Sequence, residues 1–155
     1  MKPNHPHIVL YQPEIPQNAG NIGRLAAATQ SRLHLVKPFG FSADDKNLKR
    51  AGLDYWPFLD LEIHNSLEAL WQLFPQKKYA FFSKKGTTPY SQIPIDTDLL
   101  IFGRETSGLP EELWKEYPDN FYQIPMFHQG VRSLNLANSV SIVTYHLLHK
   151  RNLFP

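Results

Sequence analysis

Short apolar runs alternate with helix-like segments along most of this 155-residue chain. The clearest runs are HIVLY, YAFFS and LLIF, whose composition is typical of buried parallel strands. Strands that alternate with helices predict an α/β fold in which a parallel sheet is flanked by helices on both faces. Ligands of such sheets bind beyond the carboxyl ends of the strands, so the segments that follow each strand are the candidate functional regions.

The alternation can be followed element by element. The predicted strands cover residues 7–11, 32–36, 61–63, 79–83, 99–102 and 121–124. The predicted helices cover residues 18–29, 66–74, 110–117 and 136–148, and a further short helix begins at a capping-box-like segment at 42–45 and ends at Gly52. At this length we expect a single domain over residues 1–155.

Composition excludes several classes of protein. Because the chain has no cysteine, it has no disulfide framework, no thiolate metal ligand and no thiol nucleophile. The seven histidines show no spacing typical of metal ligands, so no metal site is expected. No apolar run approaches the roughly 20 residues of a membrane span, and the polar N-terminus has no signal-peptide core. These features predict a soluble, cytoplasmic protein.

The net charge of +2 is too small to indicate nucleic-acid binding by itself. The basic residues are nevertheless clustered, at 46–50, at 77–85 and close to the later motifs. Such clusters are typical of solvated surfaces and also of phosphate contacts, so charge alone leaves both interpretations open.

The first unusual segment, PEIPQNAGNIGR at residues 13–24, follows the first strand. Asparagine and glycine weaken helices by up to about 1 kcal/mol each relative to alanine. Asn18, Asn21 and Arg24 lie three residues apart, so they project to one face and form a polar cluster that includes a permanent cation. An N-cap, close helix packing and a surface arginine would also explain the segment. Binding of ribose hydroxyls or phosphate explains the cluster as a whole.

The second segment, FGRETSGLP at residues 102–110, directly follows a buried strand. Gly103 and Gly108 permit tight turns and a close approach of the backbone to a ligand. Glu105 is the one carboxylate in this loop. An ordinary strand-to-helix turn is the alternative, and the GxGxxG fingerprint of dinucleotide-binding proteins is absent.

The third segment, IPMFHQGVRSLNLANSVSI at residues 124–142, joins the last strand to the last helix. Arg132, Ser133, Asn135 and Asn138 stand at the start of an otherwise apolar helix. A capping role for Ser133 or Asn135 explains one polar residue but not four within seven positions. The chain lacks a phosphate-binding P-loop, a nucleophile elbow and the paired carboxylates of glycoside hydrolases.

In this order, the three segments resemble those of the SPOUT superfamily of RNA methyltransferases. They are most similar to the TrmL-type enzymes, which methylate the ribose 2'-hydroxyl of cytidine or uridine at the tRNA wobble position. The resemblance runs from about residue 7 to 148 and includes LHLVKPFGF and DDKNLKRAGLDYW. It implies an α/β fold with a C-terminal trefoil knot, a homodimer, the tRNA anticodon loop as partner, and S-adenosylmethionine as cofactor without a metal.

The resemblance also implies which residues form the site. Those implied to act in catalysis are Arg24, Asn18, Glu105, Ser133 and Asn135, and those implied to bind the cofactor are Phe82, Gly103, Ile124, Ser133 and Leu134. Tyr145 matches a tyrosine near the site or the dimer interface. Beside the basic residues at 49–50, Tyr55 and Trp56 are candidates for stacking on unstacked anticodon bases.

For Arg24, we expect contact with ribose or phosphate and stabilisation of negative charge that develops on the oxygen. A free guanidinium is a poor base because its pKa exceeds about 12, yet a general-base role stays open. Asn18 and Glu105 are expected to hold Arg24 in place, while Ser133 and Asn135 orient the ribose or the cofactor.

Three other functions remain open. The chain could methylate another tRNA position or rRNA, although relatives that do so usually carry an additional RNA-binding domain, for which 155 residues leave no room. Arg104 stands where another branch of the superfamily has proline, a difference that could alter how the loop meets RNA. It could be a non-catalytic RNA-binding knot protein, although the polar residues of all three motifs are intact. It could also be an α/β nucleotide-binding protein unrelated to methylation.

Overall fold

The computed structural model describes residues 2–41 and 55–155. In these residues seven strands form one sheet in the order β3-β2-β1-β6-β4-β7-β5. Every pairing between neighbouring strands is parallel. The predicted α/β class is therefore confirmed, while the short helix predicted at 42–52 lies outside the described residues.

The elements closely follow the predicted pattern. The strands are β1 His7–Tyr11, β2 Leu33–Val36, β3 Leu61–His64, β4 Tyr79–Phe82, β5 Thr88–Pro89, β6 Leu99–Phe102 and β7 Phe121–Gln123. The described helices are α1 Pro16–Thr29, α2 Leu67–Leu73, α3 Glu111–Glu116 and α4 Leu136–Lys150, with 3-10 turns at Trp56–Phe58, Tyr90–Gln92 and Pro118–Asn120.

Two differences from the prediction have clear physical reasons. Helix α1 begins two residues earlier than expected, at Pro16, because proline lacks an N–H that the first helical position does not need. Strand β5 was not predicted, because two residues give no periodic signal. Its Pro89 is tolerated because β5 is an edge strand of the sheet.

Helices cover both faces of the sheet. Ile8 belongs to the core beneath α1 and α4, which includes Val143. Its neighbour Val9 belongs to the core beneath α2, which includes Leu70, because successive residues of a strand point to opposite faces. No helix in residues 2–41 and 55–155 combines the length and apolar character that a membrane span needs.

The strand order changes direction at the central pair, β1 and β6. From β1 the chain builds outward through β2 and β3, and it then crosses to the other side to form β4 and β6. Leu10 of β1 pairs with Phe102 of β6, so the segments after these strands begin side by side. Such a switch point is where α/β sheets bind ligands. The knot is a prediction that rests on the resemblance.

Candidate functional site

A cavity of about 680 Å³ opens beyond the carboxyl ends of the central strands. This volume lies within the roughly 300–1,000 Å³ that is usual for small-molecule sites. Eight of the nine residues predicted for catalysis or cofactor binding line it: Asn18, Phe82, Gly103, Glu105, Ile124, Ser133, Leu134 and Asn135. The structure thus brings the three sequence motifs together in one place.

The inner wall of the cavity is aromatic. Phe82 and Phe102 end the neighbouring strands β4 and β6, and their rings stack with centroids 4.8 Å apart and planes 13° apart. Ile124 and Leu134 add apolar surface, while Gln123 supplies an amide. The wall therefore suits a ligand with a flat apolar part and polar edges.

Two asparagines join the first and last helices across the cavity. The Asn135 side-chain nitrogen donates a hydrogen bond of 3.0 Å to Asn18 Oδ1. Asn135 Oδ1 accepts from the backbone N–H groups of Ala137 and Asn138, so the same side chain caps α4. These partners fix which way the Asn135 amide points and make it part of both the helix end and the site.

Glu105 holds the chain that leads into α1. Its carboxylate accepts from the backbone N–H of Glu14 at 3.1 Å and of Ile15 at 2.5 Å. In return, the Glu14 carboxylate accepts from the N–H and hydroxyl of Thr106, and these hydrogen bonds lower the pKa of Glu14. Ile15 is the N-cap of α1 and has no side chain that could cap it, so Glu105 places an anion at this helix start from another loop.

The loop after β6 folds back tightly onto itself. A Cβ at Gly103 would lie 2.3 Å from the Gly108 carbonyl carbon and 2.5 Å from Leu109 N. Arg104 and Gly108 exchange backbone hydrogen bonds of 3.1 Å, and Gly108 has φ +66°. Gly103 was expected to be glycine so that a ligand could approach. The structure shows that the returning backbone of the same loop also requires glycine here.

The segment between β7 and α4 has main-chain groups available for a ligand. Within residues 125–134, all of them described, one backbone hydrogen bond forms, from Val131 N–H to the His128 carbonyl at 3.2 Å. Residues 125–135 are all exposed. Open amides and carbonyls beside an aromatic wall fit a nucleoside-like cofactor, which needs polar contacts at its edges and a flat contact for its base.

Arg24, the ninth predicted residue, lies elsewhere. It borders a second depression of about 300 Å³ with Ala27, Ala28, Tyr55 and Phe58. The Arg24 guanidinium carbon lies 5.7 Å from the centroid of the Tyr55 ring. Within one chain, Asn18 and Glu105 do not hold Arg24, because their hydrogen bonds go to Asn135 and to the Glu14–Ile15 backbone.

Tyr55 is also not the stacking surface expected from the sequence. Its ring is 8% exposed, and its hydroxyl donates to the Gly20 carbonyl. Burial raises the pKa of Tyr55. Three positions further along the chain, Phe58 is 77% exposed beside Arg24 and offers the free ring instead.

A row of three buried histidines crosses β1, β2 and β3 and was not foreseen from the sequence. His7 Nδ1 lies 2.8 Å from His34 Nε2, and His34 Nδ1 lies 2.9 Å from His64 Nε2. Burial lowers the pKa of His7 to about 4 and that of His34 to about 2, and it also lowers the pKa of His64. Because 27 and 30 residues separate the partners, strand pairing alone creates the row.

Comparisons with known proteins agree with this geometry. Residues 5–145 match the model of the SpoU rRNA Methylase family. A tRNA (cytidine(34)-2'-O)-methyltransferase of Methylovorus glucosotrophus (strain SIP3-4) is 46% identical over 140 residues, which are 89% of this chain and 90% of that protein.

Two solved structures share the fold. One, from work on the 2-OH methylation of C/U34 on tRNA, has a TM-score of 0.88 at 43% identity and covers 96% of this chain and 97% of that one. The other, an AdoMet-bound rRNA methyltransferase from Sinorhizobium meliloti, has a TM-score of 0.84 at 24% identity. It covers 97% of this chain and 57% of that one. Sequence and fold therefore indicate the same group of proteins.

Proposed function

Because this chain belongs to the SpoU methylase family, we propose that it transfers a methyl group from S-adenosylmethionine to a ribose 2'-hydroxyl of tRNA. The nucleotide is the wobble position, a cytidine or modified uridine 34. One observation carries the proposal: Asn18, Glu105, Ser133 and Asn135 line one cavity in a chain 46% identical to a tRNA (cytidine(34)-2'-O)-methyltransferase.

Cofactor and cavity fit each other. Phe82, Gly103, Ile124, Ser133 and Leu134 would hold S-adenosylmethionine, with the open main chain of residues 125–134 at its polar edges. When bound, the cofactor supplies a methyl group that its positively charged sulfur has already activated. The protein then has mainly to orient the ribose, and orientation can lower such a barrier by roughly 7–11 kcal/mol.

The polar residues of the cavity divide this task. Asn18 and Asn135 are fixed by their mutual hydrogen bond, and with Ser133 they are placed to orient a ribose or the cofactor. Glu105 is a positioning residue, since its carboxylate holds the backbone that leads into α1. Methylation releases the proton of the 2'-hydroxyl to water, and neither role requires these groups to accept it.

Arg24 completes the site from a second copy of the chain. On its own chain it borders a different depression, although it is the residue expected to stabilise charge on the attacked 2'-oxygen. Helix α4 exposes Ile142 at 37% and Tyr145 at 46%, beside Phe154 at 51%, an apolar strip that a homodimer would cover. In such a dimer, each cavity receives Arg24 from the partner.

The mouth of the cavity suits an RNA loop. Lys84 and Arg132 lie at its rim, where they can contact phosphates. The exposed Phe58 ring beside Arg24 can stack on an unpaired anticodon base. We also infer a single domain over residues 1–155 and a cytoplasmic location, where tRNA is modified.

Methyl transfer from labelled S-adenosylmethionine to total bacterial RNA, followed by nuclease mapping, tests the proposal. We expect label in the 2'-O-methylated nucleotide 34 of tRNA and a loss of about a hundredfold or more in Arg24→Ala. Lys115→Ala, which removes an exposed cation on α3, should keep full activity. Label in rRNA would keep the chemistry and reject the substrate. Cofactor binding without label would instead favour a non-catalytic RNA-binding protein.

Mixing two inactive variants tests the shared site. Arg24→Ala lacks the arginine and Asn135→Ala lacks the cavity asparagine, so a mixed dimer would contain one intact site. Because half of randomly mixed dimers are mixed and each has one active site of two, activity should recover to about a quarter of the wild-type value. No recovery in a confirmed mixed dimer would mean that Arg24 acts within its own chain.

A further inference from the structure

The histidine row ends in a group of three potential ligands that methyl transfer does not use. His34 on β2 and Glu62 on β3 are directly opposite each other in the strand register. His64 follows Glu62 by two residues, so its side chain points to the same face of the sheet. One ligand atom from each of His34, Glu62 and His64 lies within 4.8 Å of the other two.

We propose that His34, Glu62 and His64 form a binding site for a divalent transition-metal ion of the zinc type. Two imidazole nitrogens and one carboxylate oxygen are a ligand set of open zinc sites, in which water completes the tetrahedron. The three ligands lie on β2 and β3, so a bound ion would hold the edge strand β3 against β2.

The neighbouring histidine prepares His34 for this role. A metal-bound histidine almost always donates its other ring N–H to a nearby acceptor, and that hydrogen bond orients the ring. His34 faces the site through Nδ1, while its Nε2 lies 2.8 Å from His7 Nδ1. His7 can therefore accept from His34 Nε2–H and leave Nδ1 unprotonated toward the ion.

An ion can reach the site from solvent. Strand β3 is an edge of the sheet, and the Glu62 side chain is 39% exposed. Arg32 lies 3.6 Å from the Glu62 carboxylate, yet it also pairs with Asp60 at 3.0 Å. Glu62 can thus turn toward an ion while Arg32 keeps the Asp60 carboxylate.

Binding requires a small rearrangement of the two rings. Nitrogens that each lie about 2.1 Å from a tetrahedral zinc ion stand about 3.4 Å apart. His34 Nδ1 and His64 Nε2 are now 2.9 Å apart and hydrogen-bonded to each other. An opening of about half an ångström, with tilting of the rings, exchanges this hydrogen bond for two metal bonds, and the proton on His64 Nε2 passes through water to His64 Nδ1. His64, on the edge strand, is the ring that can move.

Titration of chelator-stripped protein with Co²⁺ and Zn²⁺ tests the site, with Co²⁺ absorption as the optical signal. We expect one ion per chain and a rise in melting temperature with Zn²⁺. Glu62→Gln and His64→Gln should weaken binding at least about tenfold. Glu68→Gln makes the same chemical change at an exposed carboxylate on α2, and His149→Gln removes an exposed histidine on α4, so both should bind like the wild type.

Wild-type protein alone gives a second readout. Added Zn²⁺ should shift the imidazole ¹⁵N signals of His34 and His64 and leave that of His149 in place. Equal affinity in folded Glu62→Gln and wild type, or shifts confined to exposed histidines, would overturn the proposal and leave the row as a hydrogen-bonded part of the core. Neither result bears on methyl transfer, because the cavity lies beyond the ends of β4 and β6, whereas the three ligands lie on β2 and β3.

Discussion

The cavity and the histidine row are both polar, but they satisfy their polar groups in different ways. Around the cavity, residues 125–134 form one backbone hydrogen bond among themselves, and the side chains there are exposed. In the row, His34 uses both ring nitrogens on neighbouring histidines and has no exposed surface. The first region keeps open hydrogen-bonding groups for a ligand, whereas the second can bind an ion only by giving up the hydrogen bond between His34 and His64.

The two regions also depend on different structural features, close backbone packing in the cavity loops and strand register in the row. The cavity loops rely on backbone that passes close to backbone, as at Gly103. The row relies on strand register, since a shift of one residue would turn all its rings to the other face. Substitutions that add atoms should therefore damage the first region, and changes in protonation the second.

The largest effect should come from Gly103→Ala. Its methyl group would meet two backbone atoms within 2.5 Å, neither of which can rotate away. We expect a loss of about 3 kcal/mol or more in the free energy of unfolding, measured in urea, together with loss of cofactor binding. Gly40→Ala is the matched control, because nothing lies within 4 Å of the added carbon. Similar stability of the two variants would mean that the loop can open.

Acidification should destabilise the histidine row. The pKa values of His7 and His34 fall from 6.5 to about 4 and about 2 on folding, so the unfolded chain binds more protons below pH 6.5. The stability that these two neutral rings contribute is thus fully present above pH 6.5 and is lost as the pH falls. Protonation linked to these two groups should lower the free energy of unfolding by roughly 2–3 kcal/mol between pH 6.5 and 5.

Urea unfolding at several pH values, with a chelator present, measures this loss. His7→Gln removes one of the two groups and should make the dependence on pH distinctly shallower. A free energy of unfolding that stays flat from pH 7 to 5 would mean that the rings are already protonated or hydrated in the folded protein.

A smaller effect is expected for Glu105. Replacing it with alanine removes the acceptor for the Glu14 and Ile15 N–H groups and should lower stability by about 1 kcal/mol. Glu105→Gln keeps one acceptor oxygen on a side chain of the same length, so its loss of stability should be smaller. Hydrogen exchange should rise at the Glu14 and Ile15 amides in the order wild type, Gln, Ala. An activity loss with unchanged exchange would show that Glu105 acts on the substrate.

The sequence predicts the cavity well and the row not at all, for a physical reason. Motif residues such as Asn18 and Glu105 lie in the segments that follow β1 and β6, and a parallel sheet gathers the carboxyl ends of its strands at one edge. Their shared location therefore follows from the order of elements. The hydrogen-bond partners within the cavity do not follow from that order. Asn18 was expected to hold Arg24, and within the chain it bonds to Asn135.

The histidines lack any such rule. His7, His34 and His64 stand in three separate strands, and a lone histidine in an apolar run looks like any half-polar core residue. Their contacts depend on which strands are neighbours and in which register. Arg24 was predicted as a site residue, but its position was not, because it borders a separate depression together with Tyr55 and Phe58.

The asparagine pair has a consequence for the newly made chain. Asn18 and Asn135 touch although 117 residues separate them, so one partner leaves the ribosome long before the other. Until residue 135 emerges, α1 has no α4 beside it and the cavity lacks a wall. A chain arrested earlier in translation should not retain S-adenosylmethionine. The shortest nascent chain that binds the cofactor would therefore show at what length the site is complete.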